Sequence, residues 1–171
     1  ARAGRPEQAL AQYREALAAK LRVLSPLSPS VLTTRFTIAV TLANLQRYDE
    51  ALAMHRELVV ARRQLHGPLS AKVSGELNEV ASVLQDAGRL DEAVATYHEA
   101  LALDEQISGR KSIDVAIRLN NLASALEDQG DPGAEALYRE SLAIRRALLA
   151  PDDLSLARAE HNLARWLLRN G

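Results

Sequence analysis

From Val115 to Leu126 the apolar residues stand at Val115, Leu119, Leu122, Ala123 and Leu126, with mostly polar residues between them. Steps of three and four residues describe one buried stripe on an α-helix. The stripe breaks at Gly130-Asp131-Pro132 and resumes at Ala134, Leu137, Tyr138 and Leu142, so the segment reads as two amphipathic helices joined by a tight turn. Along the whole chain the same alternation predicts eight helices, roughly at 5–24, 29–45, 48–65, 69–87, 90–108, 112–129, 132–149 and 152–170. Pro6 and Pro132 fall in first helical turns, where no N–H partner is needed. Asp49-Glu50 and Asp91-Glu92 place carboxylates at the positive end of the helix dipole. Ser25-Pro26, Ser28-Pro29, Gly67-Pro68 and Ala150-Pro151 punctuate the longer connections.

The hairpins are copies of one another. Arg47-Tyr48-Asp49-Glu50-Ala51 returns 42 residues later as Arg89-Leu90-Asp91-Glu92-Ala93, with counterparts in Arg5-Pro6-Glu7-Gln8-Ala9 and Asp131-Pro132-Gly133-Ala134. Tyr13, His55, Tyr97 and Tyr138 share one repeat position, and Leu17, Val59, Leu101 and Leu142 another; the last step is one residue shorter. In the other helix, Leu77-Asn78-Glu79-Val80-Ala81 matches Leu119-Asn120-Asn121-Leu122-Ala123 and Glu160-His161-Asn162-Leu163-Ala164. Arg35-Phe36-Thr37-Ile38-Ala39 is the most divergent copy. Gly4, Gly88, Gly130 and Gly171 occupy one turn position, where Gln46 stands once. A single hairpin cannot bury its own stripe, so such units stack as a solenoid. Ala9, Ala51, Ala93 and Ala134 suit the close helix approach this needs.

The pattern Leu-Asn-Asn-Leu-Ala, a turn glycine, then alanine and tyrosine in the next helix resembles the tetratricopeptide repeat; a HEAT array has a similar period without that pattern. The standard unit has 34 residues, so a longer unit adds about one turn to each helix. This long form resembles that of kinesin light chains and of bacterial multidomain signalling proteins, including receptor-type serine/threonine kinases. The resemblance implies an all-α fold, a right-handed α-α superhelix of about eight antiparallel helices. It divides the chain into a half-repeat at 1–27, repeats at 28–67, 68–110 and 111–150, and a half-repeat at 151–171. That register predicts a fragment of a longer protein. Trp166, at the position of Thr41, Val83 and Ala125, either shields an open end or packs on a further helix.

The resemblance also implies that the first helix of each hairpin lines a concave groove holding an extended peptide or a partner helix. The rungs begin with Thr33, Phe36, Thr37, Val40, Ala43 and Asn44, followed by Gly75, Asn78, Glu79, Ser82, Gln85 and Asp86. Ile117, Asn120, Asn121, Ser124, Glu127 and Asp128 form the third, and Arg158, His161, Asn162, Arg165, Leu168 and Arg169 the fourth. Asn121 and Asn162 match the family asparagine that holds a bound peptide's backbone, while Thr37 and Glu79 depart from it. The alternative is that these asparagines bond the neighbouring helix. Glu79, Asp86, Glu127 and Asp128 make the middle acidic, and Arg158, His161, Arg165 and Arg169 form a basic stripe. Either a ligand basic at one end and acidic at the other matches both, or Arg165 and Arg169 pair with Glu127 and Asp128. No groove position is lysine, which argues against the carboxylate clamp of chaperone-binding relatives. The acidic centre argues against the acidic, tryptophan-bearing peptides of kinesin-type grooves.

Composition narrows the classes further. Ala and Leu supply roughly a third of the 171 residues and aromatics only 4%, a helix former's mixture. With 21 basic and 22 acidic side chains, no net field draws the chain to nucleic acid or lipid. The absence of cysteine excludes disulfides, thiol catalysis and zinc ribbons. No apolar run reaches the ~20 residues of a membrane span. His55, His66, His98 and His161 lack metal-ligand spacing, His98-Glu99 lacks the second histidine of a zincin, and no glycine loop cradles phosphate. His55, at a tyrosine position, predicts a packed ring. Arg62-Arg63 and Arg145-Arg146 read as short pairs on outer faces. No cofactor and no metal are expected.

These readings converge on a non-catalytic protein–protein interaction module whose partner is a protein or peptide. The alternative is a self-associating or sensing region of a bacterial signalling protein such as a serine/threonine kinase, favoured by the apolar Phe36 and Val40 and by uncapped ends that could join a homo-oligomer. The Ala/Arg/Leu-rich composition fits a high-GC bacterium. The compartment is not read from the sequence; a soluble, cytoplasmic setting is the expectation, with the extracytoplasmic region of a membrane kinase as the alternative.

Overall fold

The computed structural model describes residues 4–170. Among them stand eight helices: α1 (Gly4–Leu21), α2 (Pro29–Asn44), α3 (Tyr48–His66), α4 (Ala71–Asp86), α5 (Leu90–Ser108), α6 (Ile113–Gln129), α7 (Ala134–Leu148) and α8 (Leu154–Asn170). Each packs against the next, and the hairpins coil as a right-handed α-α superhelix. Side chains bridge α4 to α6 and α6 to α8, while Arg14–Glu50 at 3.2 Å and Arg63–Glu99 at 2.7 Å bridge α1 to α3 and α3 to α5. The even-numbered helices therefore form one layer and the odd-numbered helices the other. The core lies between them, through Leu10, Ile38, Leu52, Val73 and Leu84, then Tyr97, Val115 and Leu122, then Tyr138, Leu142 and Leu163.

The repeat sets the helix ends. Ser28, Ser70 and Ser112 each accept from the backbone N–H three residues on, at 3.4, 3.4 and 3.3 Å, capping α2, α4 and α6. In the turn after each of these helices the chain enters the left-handed region, at φ 60° for Gln46 and 74° for both Gly88 and Gly130. Arg47, Arg89 and Asp131 then donate back to Leu42, Leu84 and Leu126, each at 2.9 Å, closing the turn. Gly4 is the first residue of α1, and Gly171 lies outside the described residues.

Four ends differ from expectation by two residues or more, and one of them is the start of α4, which the Ser70 cap sets at Ala71 rather than 69. The helix α1 stops at Leu21, because a tight turn from Arg22 to Leu24 leads into Ser25-Pro26, where proline disfavours helix in the residue before it. The helix α7 starts at Ala134, leaving Pro132 outside, because Asp131 Oδ1 accepts from the Gly133 N–H at 2.7 Å and holds a turn there. The same device, Asp153 accepting from Ser155 at 2.7 Å, delays α8 to Leu154.

A second periodic feature crosses the interior. Lys20, Arg62, Asp104 and Arg145 share one repeat position on the odd helices, facing Thr34, Glu76, Arg118 and Ala159 on the even ones. Lys20 donates to Thr34 at 2.7 Å, Arg62 to Glu76 at 2.7 Å, and Arg118 to Asp104 at 2.9 Å. The ion pair thus reverses its polarity between adjacent repeats, and both acids are buried, with side chains 1% exposed. Arg145 faces an alanine and makes only 3.4 Å contacts to Ser141 and the Ser155 carbonyl. Burial holds its guanidinium below the usual arginine range, with Asp153 partly opposing. Arg62 and Arg145 therefore do not lie on outer faces. Only their neighbours do, Arg63 with Glu99 and Arg146 with Glu160, since successive residues are turned about 100° around a helix.

His55 is buried, with Nδ1 2.6 Å from Glu76 Oε1 and its ring edge-on to Phe36 at 5.8 Å. Trp166 is buried with Tyr138, Leu142 and Leu163 rather than left open.

Candidate interaction groove

The rung residues are placed by helical spacing. Asn78, Ser82 and Gln85 recur on one stripe of α4, Asn120, Asn121, Ser124 and Glu127 on α6, and His161, Asn162, Arg165 and Arg169 on α8. The opposite stripe of each helix carries the buried residues, which fixes this one away from the core.

Side-chain bonds stitch these rungs together. Asn121 Nδ2 donates to Asn78 Oδ1 at 2.7 Å, and one repeat later Asn162 Nδ2 donates to Asn120 Oδ1 at 2.9 Å. Gln85 Nε2 donates to Ser124 at 3.2 Å and to Asp128 at 2.5 Å. Its Oε1 accepts from the Tyr97 hydroxyl at 3.2 Å. Arg165 and Arg169 both bind Glu127, at 3.0 and 3.2 Å, and the Tyr138 hydroxyl donates to the same carboxylate at 2.8 Å. Of the two charge arrangements open in the sequence, the α8 arginines thus adopt pairing, with Glu127 alone; Asp128 is taken by Gln85. Burial pushes the Tyr97 and Tyr138 hydroxyls up to about 12.

Pairing leaves an uneven set of unpartnered polar ends among the expected rung residues. Glu79 and Asp86 on α4, and Arg158 and His161 on α8, have no partner among the described residues. Asp86, Arg158 and His161 are exposed, and Glu79 is half-buried. Phe36 and Val40 are half-buried, and Phe36 packs against Leu32, Leu58 and Ala61, so this part of the apolar first rung belongs partly to the core. No helix among the described residues is long and apolar enough to cross a membrane.

Family models of the tetratricopeptide repeat match residues 1–70 and 75–134, and another of the same description matches 115–154. The chain belongs to the tetratricopeptide-repeat family. Among solved structures it is similar to a kinesin-light-chain-like protein of Podosopora anserina with nearly identical TPR-like repeats, at 20% identity over 99% of this chain and 81% of that one, with a TM-score of 0.78. It is also similar to BtubC (BKLC) from P. vanneervenii, at 24% identity over 98% of this chain and 67% of that one, with a TM-score of 0.77. No curated protein sequence matches. As a tetratricopeptide-repeat array the chain is a protein–protein interaction module.

Sequence reasoning missed the alternating buried ion pairs and the capping serines. Both were signalled by the 42-residue spacing of Arg62 with Asp104 and of Ser28 with Ser70 and Ser112.

Proposed function

We propose that the concave layer holds an extended peptide segment of a protein partner through its asparagine pairs. The observation that carries this reading is the direction of the two inter-helix bonds. In each, the α4 or α6 asparagine at 78 or 120 accepts and the following one, 121 or 162, donates. Asn78 and Asn120 keep a free amide donor, and Asn121 and Asn162 keep acceptor capacity on Oδ1. One rung so offers both a donor and an acceptor, the complement of one peptide unit, on side chains already held in place. The unpaired Glu79 and Asp86 favour basic groups of the segment over that end of α4, and the unpaired Arg158 favours an acidic group over α8. Residues 28–67, 68–110 and 111–150 are the three whole units in this reading.

Peptides selected from a random phage-displayed library on the intact chain test it. Asn78→Ala/Asn121→Ala is expected to weaken the selected peptides at least tenfold while leaving helical content unchanged. Undiminished affinity in that variant overturns the reading.

The exposed Leu154 and Leu168 on α8, at 80% and 88%, favour a second reading, self-association through that helix. Light scattering across a concentration series is expected to show dimers that Leu154→Glu/Leu168→Glu abolishes. A monomer at every concentration overturns it.

A further inference from the structure

Between α2 and α4 the concave wall is open where the next two rungs are closed. In those rungs an amide bridge crosses from helix to helix, Asn121 to Asn78 and Asn162 to Asn120. The residues at the same repeat positions on α2 and α4 are Phe36 and Glu79. A phenyl ring neither donates nor accepts, so this bridge cannot form. One turn before Glu79 stands Gly75, where the counterparts are Thr33, Ile117 and Arg158. A Cβ on Gly75 would meet nothing within 4 Å, so close packing does not demand glycine there. Glycine inside a helix also costs stability. Three departures from the repeat therefore coincide, and they open a notch of about 290 Å³ whose walls include Phe36, Arg62, Lys72, Gly75, Glu76 and Glu79.

The charges in the notch are not equivalent. Glu76 is buried and shared between His55 at 2.6 Å and Arg62 at 2.7 Å, so that cluster is internally satisfied. Lys72 is exposed at the mouth and has no partner among the described residues, so the groove does carry one lysine, outside the rung positions expected from the sequence, with its ammonium in solvent. Glu79 is half-buried and has no partner among the described residues. The notch thus presents one open carboxylate beside an aromatic wall, a setting that attracts a cation both as a charge and over a ring.

We propose that this notch is a subsite for a cationic side chain, arginine or lysine, of the bound segment. Its charged end meets the Glu79 carboxylate and its apolar stem lies along Phe36 in the space that Ile117 fills one repeat later. The inference rests on the groove reading above and names the residue type that its α2–α4 end selects.

Titration of the intact, nitrogen-labelled chain with N-acetyl-arginine amide, and with the neutral isostere N-acetyl-citrulline amide, reads the subsite directly. The arginine compound is expected to give saturable shifts at the Gly75 and Glu79 amides, with at least fivefold tighter apparent binding than citrulline. Two variants should abolish this while keeping the wild-type helical spectrum. Gly75→Ile installs the residue of the next repeat, and Phe36→Asn/Glu79→Asn installs its amide bridge. Equal responses to arginine and citrulline, or a response that survives in Gly75→Ile, overturn the proposal. Library-selected peptides separate the two levels. Affinity kept in Gly75→Ile but lost in Asn78→Ala/Asn121→Ala overturns the subsite alone, whereas affinity kept in both overturns the groove reading itself.

Discussion

At Gln46 a long side chain adopts the left-handed backbone, φ 60°, that its counterparts Gly88 and Gly130 adopt without a Cβ. Gln46→Gly removes that strain and is expected to raise unfolding stability by about 0.5–1 kcal/mol in urea titrations, whereas Gly130→Gln should lower it by a similar amount. The two buried tyrosines govern the alkaline limit. Their hydroxyls titrate at about 12 in the fold, against 10.0 when unperturbed, because burial penalises the phenolate. A raised value means that the fold holds the neutral form. The contribution is complete below pH 10 and is lost as pH rises through 12. Each ring is expected to forfeit about 2 kcal/mol across that window. Urea midpoints at pH 9 and pH 11.5 check this, and Tyr97→Phe/Tyr138→Phe should flatten the difference.

Between elements, the reversing ion pairs make the strongest demand. Arg118→Met leaves Asp104 buried without its partner, and a loss of about 3–5 kcal/mol is expected in chemical denaturation. Asp104→Leu/Arg118→Met removes both charges and should recover most of that loss. Ala159→Glu gives Arg145 the acid that Arg62 has in Glu76, and the midpoint should rise. Helix order, hairpin pairing and the turn position were legible in the sequence because the apolar stripe and the turn residues keep their type from copy to copy. The ion-pair ladder was not, because Lys20, Arg62, Asp104 and Arg145 change charge while keeping position, so identity matching passes over them. The inward turn of Arg62 and Arg145 was hidden for a related reason. Adjacent arginines look alike in the chain, and only the facing Glu76 or Ala159 tells the inward one, half-buried at Arg62 and buried at Arg145, from its exposed neighbour. Gly75 was legible as a rung position, but its notch depends on Phe36 from another helix.

Over the whole molecule, two layers divide the work. The odd helices pack the core from one side, and the even helices present a face where amide bridges, a thrice-bonded Gln85 and a triply bonded Glu127 hold side chains still. Rigidity there reduces the ordering that binding must oppose. Glu79 and Asp86 stay unpaired on α4, beside an exposed Lys72, and Arg158 stays unpaired on α8; in the proposed reading these groups bias the direction of a bound segment. Amide chemical-shift mapping of a library-selected peptide on the intact chain tests this most directly. Shifts concentrated on the concave stripe, at Asn78, Ser82, Asn121 and Ser124, are the predicted result. Shifts confined to α3, α5 and α7 would contradict it, placing recognition on the outer layer.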